Sequence, residues 1–186
     1  KRMNLEGKKV LLVEDEKETE AAYSALLRTH KIETVVSDNL DEACEKAREE
    51  APDLILIDFE LSFETGRAEA DGVDSAQKIQ TSYEAPIVFL TAHGEDQYID
   101  KIRSATDYGF VFKSSGELAL IEALRMALEL FEAQRERRER ERKLTERVKE
   151  LECLYGLAEI VEKPGISLDG ILKETAKILP KSFQYP

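Results

Sequence analysis

Short apolar runs alternate with amphipathic stretches along the first 115 residues. Five runs rich in β-formers are strand candidates: Lys8–Val13, Ile32–Val36, Asp53–Ile57, Pro86–Leu90 and Tyr108–Phe112. Between them, apolar residues recur at helical spacing over Glu16–Thr29, Asn39–Glu50, Gly72–Thr81 and Glu95–Ser104. Continuous apolar runs are typical of strands that are covered on both faces. The alternation therefore predicts an α/β fold with a five-stranded, doubly wound parallel sheet.

A further helical pattern begins at Ser115 and continues without Pro or Gly between Gly116 and Gly156. Residues spaced alternately four and three apart form one heptad seam along it: Ala123, Ala127, Leu130, Gln134, Arg137, Glu141, Leu144, Val148, Leu151, Tyr155 and Ala158. The middle of the seam is charged, so pairing there is expected to be weak. The pattern favours a signalling helix that forms a parallel homodimer. The alternative is a single solvated helix supported by i,i+4 ion pairs.

Composition narrows the class of protein. The chain has 186 residues, a formal net charge of −12 and 42% hydrophobic residues, which argues against wholesale disorder. An acidic balance disfavours binding to nucleic acid by this chain itself. No apolar run approaches the roughly 20 residues of a membrane span, and no signal peptide precedes Val10. Cys44 and Cys153 form no disulfide framework, so we expect a cytoplasmic protein without membrane contact in this segment.

Polar residues stand where the predicted strands end. Glu14 and Asp15 follow the first strand, Asp58 ends the third, Thr91 follows the fourth and Lys113 follows the fifth. The carboxyl ends of parallel strands meet at one edge of the sheet. Three carboxylates repel one another there unless a cation joins them, and their oxygens suit Mg²⁺. A carboxylate beside Mg²⁺ can accept a phosphoryl group, so the pattern predicts a metal-dependent phosphoacceptor site.

Four motifs occur in order, VLLVEDE, LILIDFEL, IVFLTAH and YGFVFKSS, each at a strand end. Over roughly residues 8–130 they resemble the receiver domain of two-component response regulators. The resemblance implies that Asp58 is phosphorylated by a phosphohistidine donor, either a histidine kinase or a phosphotransfer protein. It implies that Glu14 and Asp15 hold Mg²⁺ together with Asp58. The backbone carbonyl of Glu60 is expected to complete the protein ligands.

The same resemblance assigns roles to residues around the acidic cluster. Thr91 is the expected switch hydroxyl, Lys113 is the lysine of the motif, and Phe110 stands where the family has its rotameric switch aromatic. Glu60 and His93 occupy positions that tune the dephosphorylation rate in this family. The chemistry expected of this segment is self-phosphorylation and self-dephosphorylation rather than turnover of a diffusible substrate.

Two departures from the family pattern stand out. Ser114 follows Lys113, where the family usually has a proline whose peptide bond is often cis. A cis bond without proline costs about 3 kcal/mol, so we expect a trans bond or a remodelled loop. The loop over residues 59–71 is also several residues longer than the family norm. It is interpreted as a lid, a partner contact or merely tolerated length.

The C-terminal tail begins where Lys163-Pro164-Gly165 ends the long helix. A second amphipathic helix is predicted from Ser167, and the segment looks like the opening of a GAF-type sensor domain. Together with a shift in charge near residue 131, this predicts three parts: a receiver domain over 1–130, a signalling helix over 131–162 and an incomplete helical segment over 163–186.

The resulting hypothesis is a phosphoacceptor domain of a two-component phosphorelay. It passes a conformational change to a dimeric helix, within a hybrid sensor kinase or a regulator without DNA binding. One alternative is a non-phosphorylated pseudo-receiver that acts as a dimerisation scaffold. A second, an enzyme of the haloacid-dehalogenase type, would need an aspartate two residues after Asp58, where this chain has Glu60.

Overall fold

The structure is a computed structural model that describes residues 3–61 and 71–182. Its strands are β1 (Lys9–Val13), β2 (Glu33–Ser37), β3 (Leu54–Asp58), β4 (Ile87–Thr91) and β5 (Phe110–Phe112). Its helices are α1 (Lys17–Thr29), α2 (Leu40–Glu50), α3 (Asp71–Ser82), α4 (Asp96–Ala105), α5 (Glu117–Val161) and α6 (Leu168–Ser182). The α/β alternation and the long C-terminal helix predicted from the sequence are confirmed.

The five strands form one parallel sheet in the order β2-β1-β3-β4-β5. The order reverses at β1, which has β2 on one side and β3 on the other. In open α/β sheets, ligands bind beyond the carboxyl ends of the strands at such a reversal. β1 and β3 pair with Val13 opposite Ile57, so the residues that follow them emerge side by side.

The sheet separates two apolar clusters, because successive side chains of a strand point to opposite faces. In β1, β3 and β4, even-numbered residues such as Leu12, Leu56 and Leu90 pack with the buried residues of α1 and α5. Odd-numbered residues such as Leu11 and Ile57 pack with those of α2, α3 and α4. Every residue of β3 and β4 is buried. This double cover explains why the strands are continuous apolar runs.

Local signals set the ends of the elements that lead into β3. Asn39 caps α2, as its side chain accepts a hydrogen bond of 2.9 Å from the backbone N–H of Glu42. The helix ends at Ala51 in a left-handed conformation, directly before Pro52, which cannot continue a helix. Asp53 then bonds Lys8 at 2.8 Å, which ties the start of β3 to the residue before β1.

The chain divides into two compact units, residues 1–133 and 134–186. In the first unit, the opening turns of α5 bury Leu120, Leu124 and Ala127 against the sheet cluster. In the second unit, α5 buries Cys153 and Ile160 on one side. The break predicted at Lys163-Pro164-Gly165 follows directly on the end of α5.

Within the described residues, no helix combines the length and apolar character needed to cross a membrane.

Candidate functional site at the carboxyl edge of the sheet

Three carboxylates meet beyond the ends of β1 and β3. Glu14, Asp15 and Asp58 each offer an oxygen, and these oxygens all lie within 4.8 Å of one another. Glu14 and Asp58 are buried, while Asp15 is half-buried. The parallel pairing of β1 with β3 brings them together, since each follows or ends its strand at the same level. The structure thus juxtaposes the three acidic residues that the sequence singled out.

Lys113 reaches this cluster from the end of β5. Its Nζ lies 2.8 Å from Asp58 Oδ2 and 3.4 Å from Glu14 Oε2. Its backbone N–H donates to the carbonyl of Thr91 at 2.8 Å, which extends the β4–β5 pairing to this residue. Burial lowers the pKa of the ammonium, but the hydrogen bond and charge of Asp58, reinforced by Glu14, raise it above its usual value. Lys113 is therefore a permanent cation at the site.

The carboxyl group of Glu14 has a raised pKa. Burial, and then the charge of Asp58, raise its pKa to about 7, against the opposing effects of the Glu16 backbone N–H and Lys113. The Lys113 ammonium accordingly does not offset the burial of Glu14 and its repulsion by Asp58. A divalent cation would relieve the repulsion that remains.

The donor set suits Mg²⁺. Glu14, Asp15 and Asp58 supply hard carboxylate oxygens at one point, which is the chemistry this ion prefers. The backbone N–H of Glu60 donates to Asp58 Oδ1 at 3.1 Å, so the main chain of Glu60 lies beside the same carboxylate. These residues fit the ion in both ligand type and proximity.

Thr91 is fully buried at the end of β4. Its Oγ1 accepts a hydrogen bond of 3.0 Å from the backbone N–H of His93. The hydroxyl thus holds the first turn of the loop after β4 in this conformation.

A side-chain bridge joins the loops that follow β3 and β4. His93 Nε2 lies 2.5 Å from Glu60 Oε1, and His93 Nδ1 lies 3.3 Å from Glu95 Oε2. The imidazole stacks on Tyr98 with ring centroids 4.7 Å apart, and Tyr98 also contacts Phe59 edge to face. Sequence reasoning missed Tyr98, because a tyrosine in the first turn of a helix carries no motif of its own. Only the tertiary structure brings it beneath His93.

Phe110 has a different environment from the residues above. It is half-buried, packs on the cluster that contains Phe89 and meets the ring of Phe112 edge to face at 5.4 Å. A methyl group built on Gly94 would lie 3.7 Å from the Phe112 ring. The ring of Phe112 thus lies against the loop after β4, while Phe110 packs on the cluster at the α4 side of the sheet.

The structure describes the first of the two departures from the family pattern, but little of the second. The Lys113–Ser114 peptide is trans, and the Ser115 N–H donates to the carbonyl of Phe112 at 2.8 Å, closing a turn. The long loop over 59–71 lies mostly outside the described residues, which stop at Leu61 and resume at Asp71.

A cavity of about 330 Å³ opens beside Lys113, between α1 and the start of α5. Its apolar wall includes Leu26 and Leu120, and Tyr23 and Glu117 add polar groups. Glu117 is held across this gap by His30 at 2.6 Å.

Comparisons with known proteins agree with this geometry. The sequence model of the family described as "Response regulator receiver domain" matches residues 10–125. The chain is 30% identical over 125 residues to the transcriptional regulatory protein PdtaR of Mycobacterium tuberculosis, covering 67% of this chain and 58% of that protein. It thus spans under two thirds of that relative's length.

Two solved structures extend the likeness to three dimensions. One is the N-terminal domain of a response regulator/sensory box/GGDEF three-domain protein from Carboxydothermus hydrogenoformans, 41% identical with a TM-score of 0.58; the match covers 68% of this chain and 98% of that one. The other is a fusion that contains a yeast Spc42 trimeric coiled coil, 39% identical with a TM-score of 0.64; it covers 77% of this chain and 95% of that one.

Proposed function

Because this chain belongs to the response regulator receiver family, we propose that Asp58 accepts a phosphoryl group from the phosphohistidine of a histidine kinase or phosphotransfer protein. The observation that carries the proposal is the cluster of Glu14, Asp15 and Asp58 with Lys113 Nζ 2.8 Å from Asp58. This arrangement combines a nucleophilic carboxylate, a cation site and a fixed positive charge.

The reaction follows from the roles of these groups. A carboxylate oxygen of Asp58 attacks phosphorus, the bond between phosphorus and the donor imidazole nitrogen breaks, and that nitrogen keeps the electron pair. Mg²⁺, held by Glu14, Asp15, Asp58 and the Glu60 carbonyl, would neutralise charge on the transferring group. Lys113 then pairs with a phosphoryl oxygen, exchanging one anionic partner for another.

Phosphorylation is expected to switch the loop after β4. The phosphoryl group offers an acceptor for the hydroxyl of Thr91. Rotation of the Thr91 side chain toward it would break the hydrogen bond that Thr91 Oγ1 now accepts from the N–H of His93. We assign Phe110 the role of the aromatic that follows this movement. The switch would be passed to the helix over 131–162, acting as a homodimer, and to the segment over 163–186, as part of a hybrid sensor kinase or a regulator without DNA binding.

Glu60 and His93 are proposed to tune the lifetime of the phosphoryl group. Their 2.5 Å bridge connects the two loops that follow β3 and β4, where Asp58 and Thr91 lie. A closed bridge restricts the approach of water to an aspartyl phosphate. Loss of the bridge is therefore expected to shorten that lifetime.

The groove between α1 and α5 is the surface we propose for the phosphodonor. It lies next to Lys113 and presents Leu26 and Leu120 to an incoming apolar side chain.

Both cysteines are free thiols, which supports a reducing compartment such as the cytoplasm as the place of reaction.

The test is intact mass after incubation with a small-molecule phosphodonor and Mg²⁺. The wild-type chain is expected to gain one phosphoryl group and Asp58→Asn none. Asp53→Asn, which changes the aspartate directly before the opposite end of β3, serves as the control and should gain the phosphoryl group normally. Equal incorporation in Asp58→Asn would exclude Asp58 as the acceptor. No incorporation in any sample, with a surrogate kinase as well, would favour the dimerisation scaffold.

A further inference from the structure

The second unit carries many large apolar side chains that are exposed to solvent. Eight large apolar side chains of the described residues are between 45% and 75% exposed there: Leu144, Val148, Leu151, Leu154, Tyr155, Val161, Leu168 and Leu172. Contiguous apolar patches on a soluble protein mark interaction sites. The position of these residues on α5 and α6 identifies what would cover them.

On α5, the exposed residues follow the heptad repeat. Leu144 and Leu151 fall at position d, Val148 and Tyr155 at position a, and Leu154 at position g. The residues that the chain itself covers, Cys153 and Ile160, fall at position f on the far side of the helix. One face of α5 is therefore already covered within a single chain, and the a, d and g face is not.

The width of the uncovered face distinguishes two architectures. A two-stranded coiled coil needs apolar residues at a and d only, whereas a helix in a bundle adds e or g. Here the g positions include Leu154 and Val161, both exposed. A connection of six residues, 162–167, joins α5 to α6, and short connections join antiparallel neighbours in bundles. α6 adds Leu168 and Leu172 to the exposed apolar surface.

We propose that residues 144–182 of two copies of this chain associate as a parallel four-helix bundle, in which the α5 segments pair in register and both α6 helices contribute. This inference rests on the dimeric helix of the proposed function and defines its interface. A second copy is the fitting occupant because a seven-residue repeat is complementary to itself: in register, a meets a and d meets d.

Charges at the edges of the seam favour the parallel orientation. In a parallel pair, position g faces the following e position of the other helix, which places Arg147 opposite Glu152 of the second copy. In the antiparallel pair with the same apolar layers, Arg147 would face Leu154 and Glu152 would face Thr145. Within residues 144–161, the part of α5 that is proposed to pair, only the parallel arrangement therefore gives complementary charges, twice by symmetry.

The polar part of the seam determines where pairing begins. Gln134, Arg137 and Glu141 occupy a and d positions before Leu144. In a parallel pair each would face its own copy, so Arg137 would be repelled by Arg137 and Glu141 by Glu141. Arg137 and Arg140 instead form i,i+4 ion pairs along their own helix, which stabilise it without a partner.

The first test is the mass of the full chain in solution by sedimentation equilibrium. We expect a concentration-dependent dimer, and Leu151→Glu should raise the dissociation constant at least about hundredfold, since it places a charge in both halves of a buried layer. Leu118→Glu is the control, because Leu118 is also exposed on α5, at 74% against 53% for Leu151, but lies in the first unit. A wild-type monomer at all concentrations, or a trimer, would overturn the proposal.

Two further variants test the orientation and the role of α6. Arg147→Glu and Glu152→Arg should each weaken the dimer about tenfold, and the double variant should restore it. Single exchanges without effect would overturn the parallel register. Leu172→Glu should also weaken the dimer, whereas a two-stranded coiled coil of α5 alone would not respond. Incorporation of phosphate at Asp58 is measured separately, so failure of either proposal can be told from failure of the other.

Discussion

The two units of the chain differ in how far their regularly spaced apolar residues are buried. In the first unit, all five residues of β3 are buried, and alternate side chains supply two separate clusters. In the second unit, α5 leaves Leu144, Leu151 and Tyr155 exposed although they repeat as regularly. A sheet with helices on both faces is buried by residues of its own chain. A helix that packs on one neighbouring segment is buried over only part of its circumference. Regular apolar spacing thus predicts that residues are buried, but not whether the same chain or a second copy buries them.

The largest expected effect tests the self-contained core of the first unit. Leu56→Ala removes a fully buried side chain from the central strand and should lower the free energy of unfolding by about 2–5 kcal/mol. Leu151→Ala changes the same residue type in the second unit and should leave the receiver's unfolding transition unchanged. Denaturation in urea checks both, and an equal loss in the two variants would contradict the contrast.

The next effect concerns the charges that the fold forces together. Lys113→Met removes the ammonium that neutralises Asp58 and Glu14, so the metal-free protein should lose about 1–3 kcal/mol at pH 8. Mg²⁺ should recover much of that loss, since the ion replaces the missing charge. Lys8→Met, which breaks the ion pair with Asp53 at the other end of β3, should show no such recovery in urea titrations.

The pH dependence of Mg²⁺ binding is expected to come from Glu14. Its pKa in the folded, metal-free protein is raised from 4.5 to about 7, so the folded state holds an extra proton between these values. Stability of the metal-free form should therefore fall as pH rises through this window. Mg²⁺ must displace that proton, so its affinity should weaken about tenfold per unit below pH 7.

Calorimetry between pH 6 and pH 8 would measure this slope directly. Glu14→Gln should bind Mg²⁺ more weakly but with little dependence on pH over the same range. A steep slope that persists in Glu14→Gln would assign the proton to another group.

The smallest effect concerns the bridge between the loops after β3 and β4. Glu60→Gln removes the charge that holds His93 and should shorten the lifetime of the phosphorylated form by at most about fivefold, because both side chains are partly exposed. Glu95→Gln, which weakens only the longer 3.3 Å contact of the same imidazole, should change it less. A longer lifetime in Glu60→Gln would contradict the proposed shielding from water.

Much of the first unit follows from local rules that the sequence displays. Apolar runs bounded by helical stretches indicated the five strands, and Asn39 marked the start of α2. The acidic residues were predictable as a set because parallel strands end at one edge. Tyr98 was not, since its contact with His93 depends on how α4 packs beneath a loop. The site's electrostatics also required burial, which spacing alone does not measure.

The sequence by itself determined the order of strands and helices, the identity of the carboxylates and lysine at the sheet edge, and the heptad phase of the long helix, because these depend on residue types and periodicity. Only the tertiary structure decided that Lys113 lies 2.8 Å from Asp58, that Glu14 is buried enough for its pKa to reach about 7, and that His93 bridges to Glu60. It also decided which face of α5 the chain covers and which face stays exposed. Distances, burial and cover depend on residues far apart in the chain, and no local pattern records them.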